Sequence, residues 1–101
     1  MPYREVEPDE VKARIARGED VFLLDVREPD EVEAWAYPIG VNIPLGQLGE
    51  RLDDLPRDVT IVVACHMGGR SATAAEALSE AGWSAENLAG GALAWAAGEP
   101  S

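Results

Sequence analysis

Hydrophobic positions along the chain come in two alternating patterns. Continuous apolar runs occupy residues 21–24 and 60–64, the second rich in β-branched side chains that favour extended backbone. Runs that are apolar throughout suit strands buried on both faces. Residues 3–6, Val41-Asn42-Ile43 and residues 83–88 are shorter strand candidates.

Between these runs the apolar residues fall at helical spacing. Val11 and Ile15 lie one turn apart after Glu7-Pro8-Asp9-Glu10, where proline and acids suit the free N–H groups of a helix start, and Gly18 ends the helix. Pro29-Asp30-Glu31 starts a second helix that carries Val32 and Trp35 and is stopped by Pro38 and Gly40. Leu45, Leu48, Leu52 and Leu55 recur as a core-facing helical stripe despite Gly46 and Gly49. An alanine-rich helix is predicted over 71–81, closed by Gly82, and Gly90-Gly91 turns into a small helix holding Leu93 and Trp95. Trp35, Trp83 and Trp95 are expected in the core.

Strands alternating with helices imply right-handed crossovers and a mostly parallel sheet with helices on both faces. Ligands of such sheets bind at the carboxyl ends of the strands. That rule puts Cys65, and with it Asp25 to Arg27, on the functional edge.

The length, 101 residues, fits a single domain over 1–101 that buries roughly 60–70 % of its unfolded surface. A formal charge of −11 opposes nucleic-acid and anionic-membrane binding, so any anion site must be local. No apolar run approaches the ~20 residues of a spanning helix, and the opening Met-Pro-Tyr-Arg-Glu-Val has no signal-type apolar region, so a cytoplasmic location is expected. The one cysteine cannot form an internal disulfide, build a cysteine-rich zinc site or supply its own resolving thiol.

That cysteine opens the segment Cys65-His66-Met67-Gly68-Gly69-Arg70-Ser71, a strand end followed by glycines and a helix start. Inward-facing backbone N–H groups and the helix dipole bind anions and favour a thiolate over a thiol. Gly68 and Gly69 allow the positive φ angles that a tight curl demands. A cysteine kept only as a small buried hydrophobe needs neither the glycines nor the helix behind it. Arg70 at a helix start is poorly placed as a merely solvated charge, which points to anion binding.

The same segment resembles the active-site loop of the rhodanese, or sulfurtransferase, family. Leu23-Leu24-Asp25-Val26-Arg27-Glu28, Val41-Asn42-Ile43-Pro44 and Gly90-Gly91-Ala92-Leu93-Ala94-Trp95 are similar to its other signatures, in order and across nearly the whole chain. The resemblance implies a rhodanese-like α/β fold whose five-stranded sheet is ordered 1-5-4-2-3. It also implies that Cys65 carries a sulfane sulfur as a persulfide, taken from a small anionic donor such as thiosulfate and passed to a thiol or cyanide, without metal or organic cofactor. His66, Met67, Gly68, Gly69, Arg70 and Ser71 would bind the substrate. Asp25 and Arg27 are expected as an internal supporting pair more than as groups touching substrate, and Met67 suits either loop packing or acceptor contact. Where many relatives read Gly-His-Ile-Pro-Gly-Ala, this chain reads Trp35-Ala36-Tyr37-Pro38-Ile39-Gly40, so the histidine is absent and its part in the pocket wall falls to Trp35, to Tyr37 or to nothing.

Two other functions fit the same loop. One is a persulfide carrier or interaction module serving a protein partner. The other is a cysteine phosphatase or arsenate reductase, whose loops are one residue longer between cysteine and arginine than the four residues separating Cys65 and Arg70.

Overall fold

Val62 and Val63 are adjacent in sequence yet pack into different cores, because successive side chains of a strand point to opposite faces. The computed structural model, which describes residues 3–98, is organised by that alternation. Five strands, β1 (Arg4–Val6), β2 (Phe22–Asp25), β3 (Gly40–Asn42), β4 (Ile61–Ala64) and β5 (Ala85–Leu88), alternate with α1 (Pro8–Ala16), α2 (Pro29–Ala34), α3 (Leu45–Leu48), α4 (Gly69–Glu80) and α5 (Gly91–Ala97). The sheet order is β1-β5-β4-β2-β3 with every pairing parallel, the order that the family resemblance implies.

One face of the sheet presents Leu24, Val63 and Ala85 to Ala74, Ala75 and Leu78 of α4 and Leu48 of α3. The other presents Leu23, Val62 and Leu88 to Val11 of α1 and to Ala92 and Trp95 of α5. β4, central and buried along its whole length, ends directly at Cys65. Among the described residues no helix is long and apolar enough to cross a membrane.

Three expectations change in detail, each for a local reason. The leucine stripe does not form one helix: it breaks into α3 and a 3-10 turn, Leu52–Asp54, and it is Leu48 and Leu55 that are buried. Trp83 and Ser84 precede β5 instead of starting it. Gly82, at φ 103°, lets its own N–H bond Ser79 and the Trp83 N–H bond Leu78, so Trp83 closes α4 in a Schellman cap. α2 ends before Pro38 and Gly40 are reached, since Trp35 is already extended, and Gly40 is the first residue of β3. Trp35 is partly buried, whereas Trp83 and Trp95 lie in the core.

What stops α2 is a buried ion pair at the end of β2. Arg27 Nε and Nη2 donate to Asp25 Oδ1 and Oδ2 at 2.9 and 2.7 Å, the Arg27 backbone N–H also reaches Oδ1, and both side chains are 2 % exposed. The guanidinium donates further to the carbonyls of Glu31 and Trp35, fastening the last turn of α2. Asp25 and Arg27 thus form an internal pair whose guanidinium bonds run to Asp25 and to the end of α2, while Arg27 also lies over the ring of Tyr37, 5.2 Å from its centroid.

A buried pair with these extra bonds is costly to break from one side. Asp25→Ala, which strands the Arg27 charge, is expected to lower the unfolding free energy by about 3–5 kcal/mol in urea titration. Replacing both residues with apolar ones of similar volume should lower it less than the single change does.

Candidate active site

The loop after β4 is shaped by where its carbonyls go. Cys65 C=O accepts from the Tyr37 hydroxyl at 2.6 Å and from the Ala92 N–H at 2.9 Å, and His66 C=O accepts from the Leu93 N–H at 3.1 Å. Ala92 and Leu93 lie in the first turn of α5, whose N–H groups have no acceptor within their own helix. Gly91 permits the approach: it sits at φ 57°, and a Cβ there would lie 2.6 Å from both carbonyl oxygens. Close contact with the loop is therefore what the Gly90-Gly91 turn supplies.

With those carbonyls turned away, the N–H groups that follow face the sulfur. Cys65 Sγ accepts from Gly68 N–H at 3.1 Å, Ser71 N–H at 3.4 Å and the Ser71 hydroxyl at 3.3 Å. Gly68 caps α4 at φ 106°, a backbone angle that disfavours any other residue. Gly69, expected to share that role, has ordinary φ and open space around it, so one left-handed glycine makes the curl.

Burial of the sulfur disfavours its charge. The Ser71 hydroxyl and the N–H groups of Ser71, Gly68 and Met67 outweigh that penalty, and the Cys65 thiol lies below its ordinary value. The Ser71 hydroxyl also reaches Asn87 Oδ1, at 2.6 Å, so its single proton serves the amide or the sulfur at any moment. The Asn87 amide is in turn oriented by the Glu5 carboxylate, across the β1–β5 pairing, and by Gly68 C=O.

The remaining predicted site residues divide into two groups. His66 and Met67 are exposed, Met67 at 67 %, and His66 lines a cavity of ≈330 Å³ together with Trp35, Ala92 and Leu93. Arg70 does not point to an open anion site: its Nη1 and Nη2 donate to the two oxygens of Glu31 at 2.6 and 2.8 Å. Among the described residues no group of three or more His, Cys, Asp and Glu is arranged to hold a metal.

Asn87, Glu5 and Glu31 were not foreseen as partners of the loop, and Tyr37 only as a candidate for the pocket wall. Asn87 and Glu5 could have been found, since each belongs to a strand near its carboxyl end, the edge singled out for Cys65. For Tyr37 the missing histidine was the signal, and its hydroxyl now anchors the Cys65 carbonyl. Glu31 gave none beyond its place in a helix start.

Residues 7–98 match the family described as Rhodanese-like domain. A sulfurtransferase of Allochromatium vinosum is 33 % identical over 93 residues, spanning 91 % of this chain and 87 % of its own. The human single-domain sulfurtransferase TSTD1 superposes with a TM-score of 0.85 at 28 % identity over 99 % of both chains. A rhodanese-related protein from Thermoplasma volcanium superposes with a TM-score of 0.88 at 34 % identity, over 97 % of this chain and 96 % of that one.

The donors on Sγ lead to a titration result. The rate of Cys65 alkylation by iodoacetamide is expected to have a midpoint below the free-cysteine value near ~8.5. Ser71→Ala should raise that midpoint by about one pH unit or more, since a hydrogen bond to a charged group contributes roughly 1.5–3 kcal/mol. An unmoved midpoint would assign the stabilisation to the backbone alone.

Proposed function

This chain belongs to the rhodanese-like domain family, and from that membership and the cradle around Cys65 we propose that it is a sulfurtransferase working through a persulfide on that residue. Sulfur transfer in general is supported by the sulfurtransferase relatives. The finer assignment is carried by one observation, a buried cysteine whose Sγ accepts three hydrogen bonds from Gly68 and Ser71. We read the active unit as one rhodanese domain over 1–101, of which Met1, Pro2 and residues 99–101 lie outside the described residues.

In the first half-reaction the Cys65 thiolate attacks the outer sulfur of a donor such as thiosulfate. An S–S bond forms on Cys65 while the donor's S–S bond breaks, its electron pair leaving on sulfite. The negative charge stays on the new terminal sulfur. The N–H groups of Gly69 and Arg70, in the first turn of α4, have no acceptor within the helix and are available to that sulfur. In the second half-reaction a thiolate or cyanide attacks the terminal sulfur and returns the Cys65 thiolate. His66 and Met67, exposed beside the cysteine, form the contact surface for the acceptor, and no step needs an oxidant, a metal or an organic cofactor.

Persulfide formation is directly measurable. After treatment with thiosulfate or with glutathione persulfide, intact-protein mass spectrometry should show one added sulfur atom on the parent and none on Cys65→Ser, whose unfolding midpoint should be nearly unchanged. Sulfur transfer by Cys65→Ser, or aryl-phosphate hydrolysis faster than sulfur transfer by the parent, would overturn the assignment.

A further inference from the structure

Arg70 is the one cation of the 65–71 segment, and a carboxylate already occupies it. Both of its terminal nitrogens are bound, in the two-pronged geometry that an incoming oxyanion would itself use. Glu31 is held in place independently. It is the third residue of α2, and its Oε1 accepts from the Glu28 N–H at 2.9 Å in a capping box. Arg70 holds the Glu31 carboxyl down at about 2, so neutral or mildly acidic solution does not release the pair. The other guanidinium nearby, Arg27, is taken by Asp25. Among the described residues, neither arginine beside the loop is left for a dianion.

Next to this pair the surface turns apolar. The ≈330 Å³ cavity is lined by Glu31, His66 and Arg27, whose charge is met by Asp25, and is otherwise walled by Ala34, Trp35, Ala92, Leu93 and Ala96. Such a wall suits an organic body better than a sulfonate group.

We propose that Glu31 determines donor choice: by occupying Arg70 it withholds the loop's cation from oxyanion donors such as thiosulfate and favours organic persulfides, whose carbon body the adjoining cavity accepts. The inference rests on the persulfide function above and names its donor class. With such a donor the Cys65 thiolate attacks the terminal sulfur of R–S–SH, an S–S bond forms on Cys65, and R–S⁻ leaves with the electron pair of the broken bond. The proton remains on the new persulfide, so atoms and charge balance without a further reactant.

Glu31→Gln removes the charge and keeps the capping box, because glutamine serves at that position as well. The rate of sulfur gain on Cys65 would be measured by intact mass for the parent, Glu31→Gln, Arg70→Ala and the double variant, with thiosulfate and glutathione persulfide as separate donors. The ratio of the thiosulfate rate to the glutathione persulfide rate should rise about tenfold or more in Glu31→Gln, the scale of one charge-assisted contact. Arg70→Ala should abolish that gain in the double variant, and alone should change the ratio by less than about threefold. A role limited to holding α2 in place would lower both rates together and leave the ratio flat. A flat ratio in Glu31→Gln, a gain that survives in the double variant, or a tenfold loss of thiosulfate charging in Arg70→Ala alone overturns the inference while the persulfide function stands. Failure of both donors to charge the parent overturns both.

Discussion

The anchoring of two carbonyls onto α5 is the constraint from which the site follows. A peptide unit points its C=O and N–H in opposite directions, so fixing His66 C=O on Leu93 turns the Met67 N–H toward the sulfur, and the curl that follows brings the N–H groups of Gly68 and Ser71 to it. That anchorage requires a backbone approach only Gly91 permits, and the curl that follows requires the left-handed Gly68. The two glycines act on opposite sides of one loop. Gly91 acts at a distance from the sulfur and Gly68 reaches it through its N–H, and a side chain at either position would dismantle the geometry that favours the thiolate.

A chain carrying −11 makes a poor general host for another negative charge, and the sulfur's stabilisation is accordingly local. Dipoles do the work here in preference to full charges. Two backbone N–H groups and a shared hydroxyl proton reach Sγ directly, whereas the guanidinium groups near it are engaged with carboxylates: Arg27 with Asp25 in the interior, Arg70 with Glu31 at the rim. Oriented N–H groups need no counter-ion and lose little to salt, so a cradle built from them keeps its strength where a surface charge would be screened.

The sheet was legible because its determinants are repetitive. A β-branched run, apolar stretches without alternation and proline or glycine at the breaks describe a parallel sheet covered on both faces, and the cysteine loop could be set at a strand end from those patterns alone. Boundaries failed where a tertiary contact outweighed a local signal. α2 stops at the Arg27 bonds and not at Pro38, and the leucine stripe splits into α3 and a 3-10 turn while all four leucines still pack on one core, Leu48 and Leu55 buried, Leu45 and Leu52 partly so. The partners of the loop were hidden for a related reason. Tyr37, Asn87 and Glu31 come from a loop, a strand and a helix far apart in sequence, so strand position and the missing histidine could point to Asn87 and Tyr37 but not to their partners, and Glu31 gave no signal beyond its place in a helix start.

α2 also differs from its neighbours in what holds it. No residue of the helix is buried, so it has little apolar surface to lose on moving, and hydrophobic packing fixes it weakly. Its position rests instead on polar contacts at its two ends: the capping box and the Arg70 pair at the first turn, the Arg27 bonds at the last. The interior contact with Arg27 is the firmer, being shielded from water, while the Arg70–Glu31 pair is part exposed and open to competition from solvent and salt. Displacement of Glu31 away from Arg70 would break the rim ion pair and also the Arg27 bond to the Glu31 carbonyl. The contact that withholds the cation is thus the part-exposed one of the two, and the donor choice proposed above rests on a rim ion pair and not on the packed core.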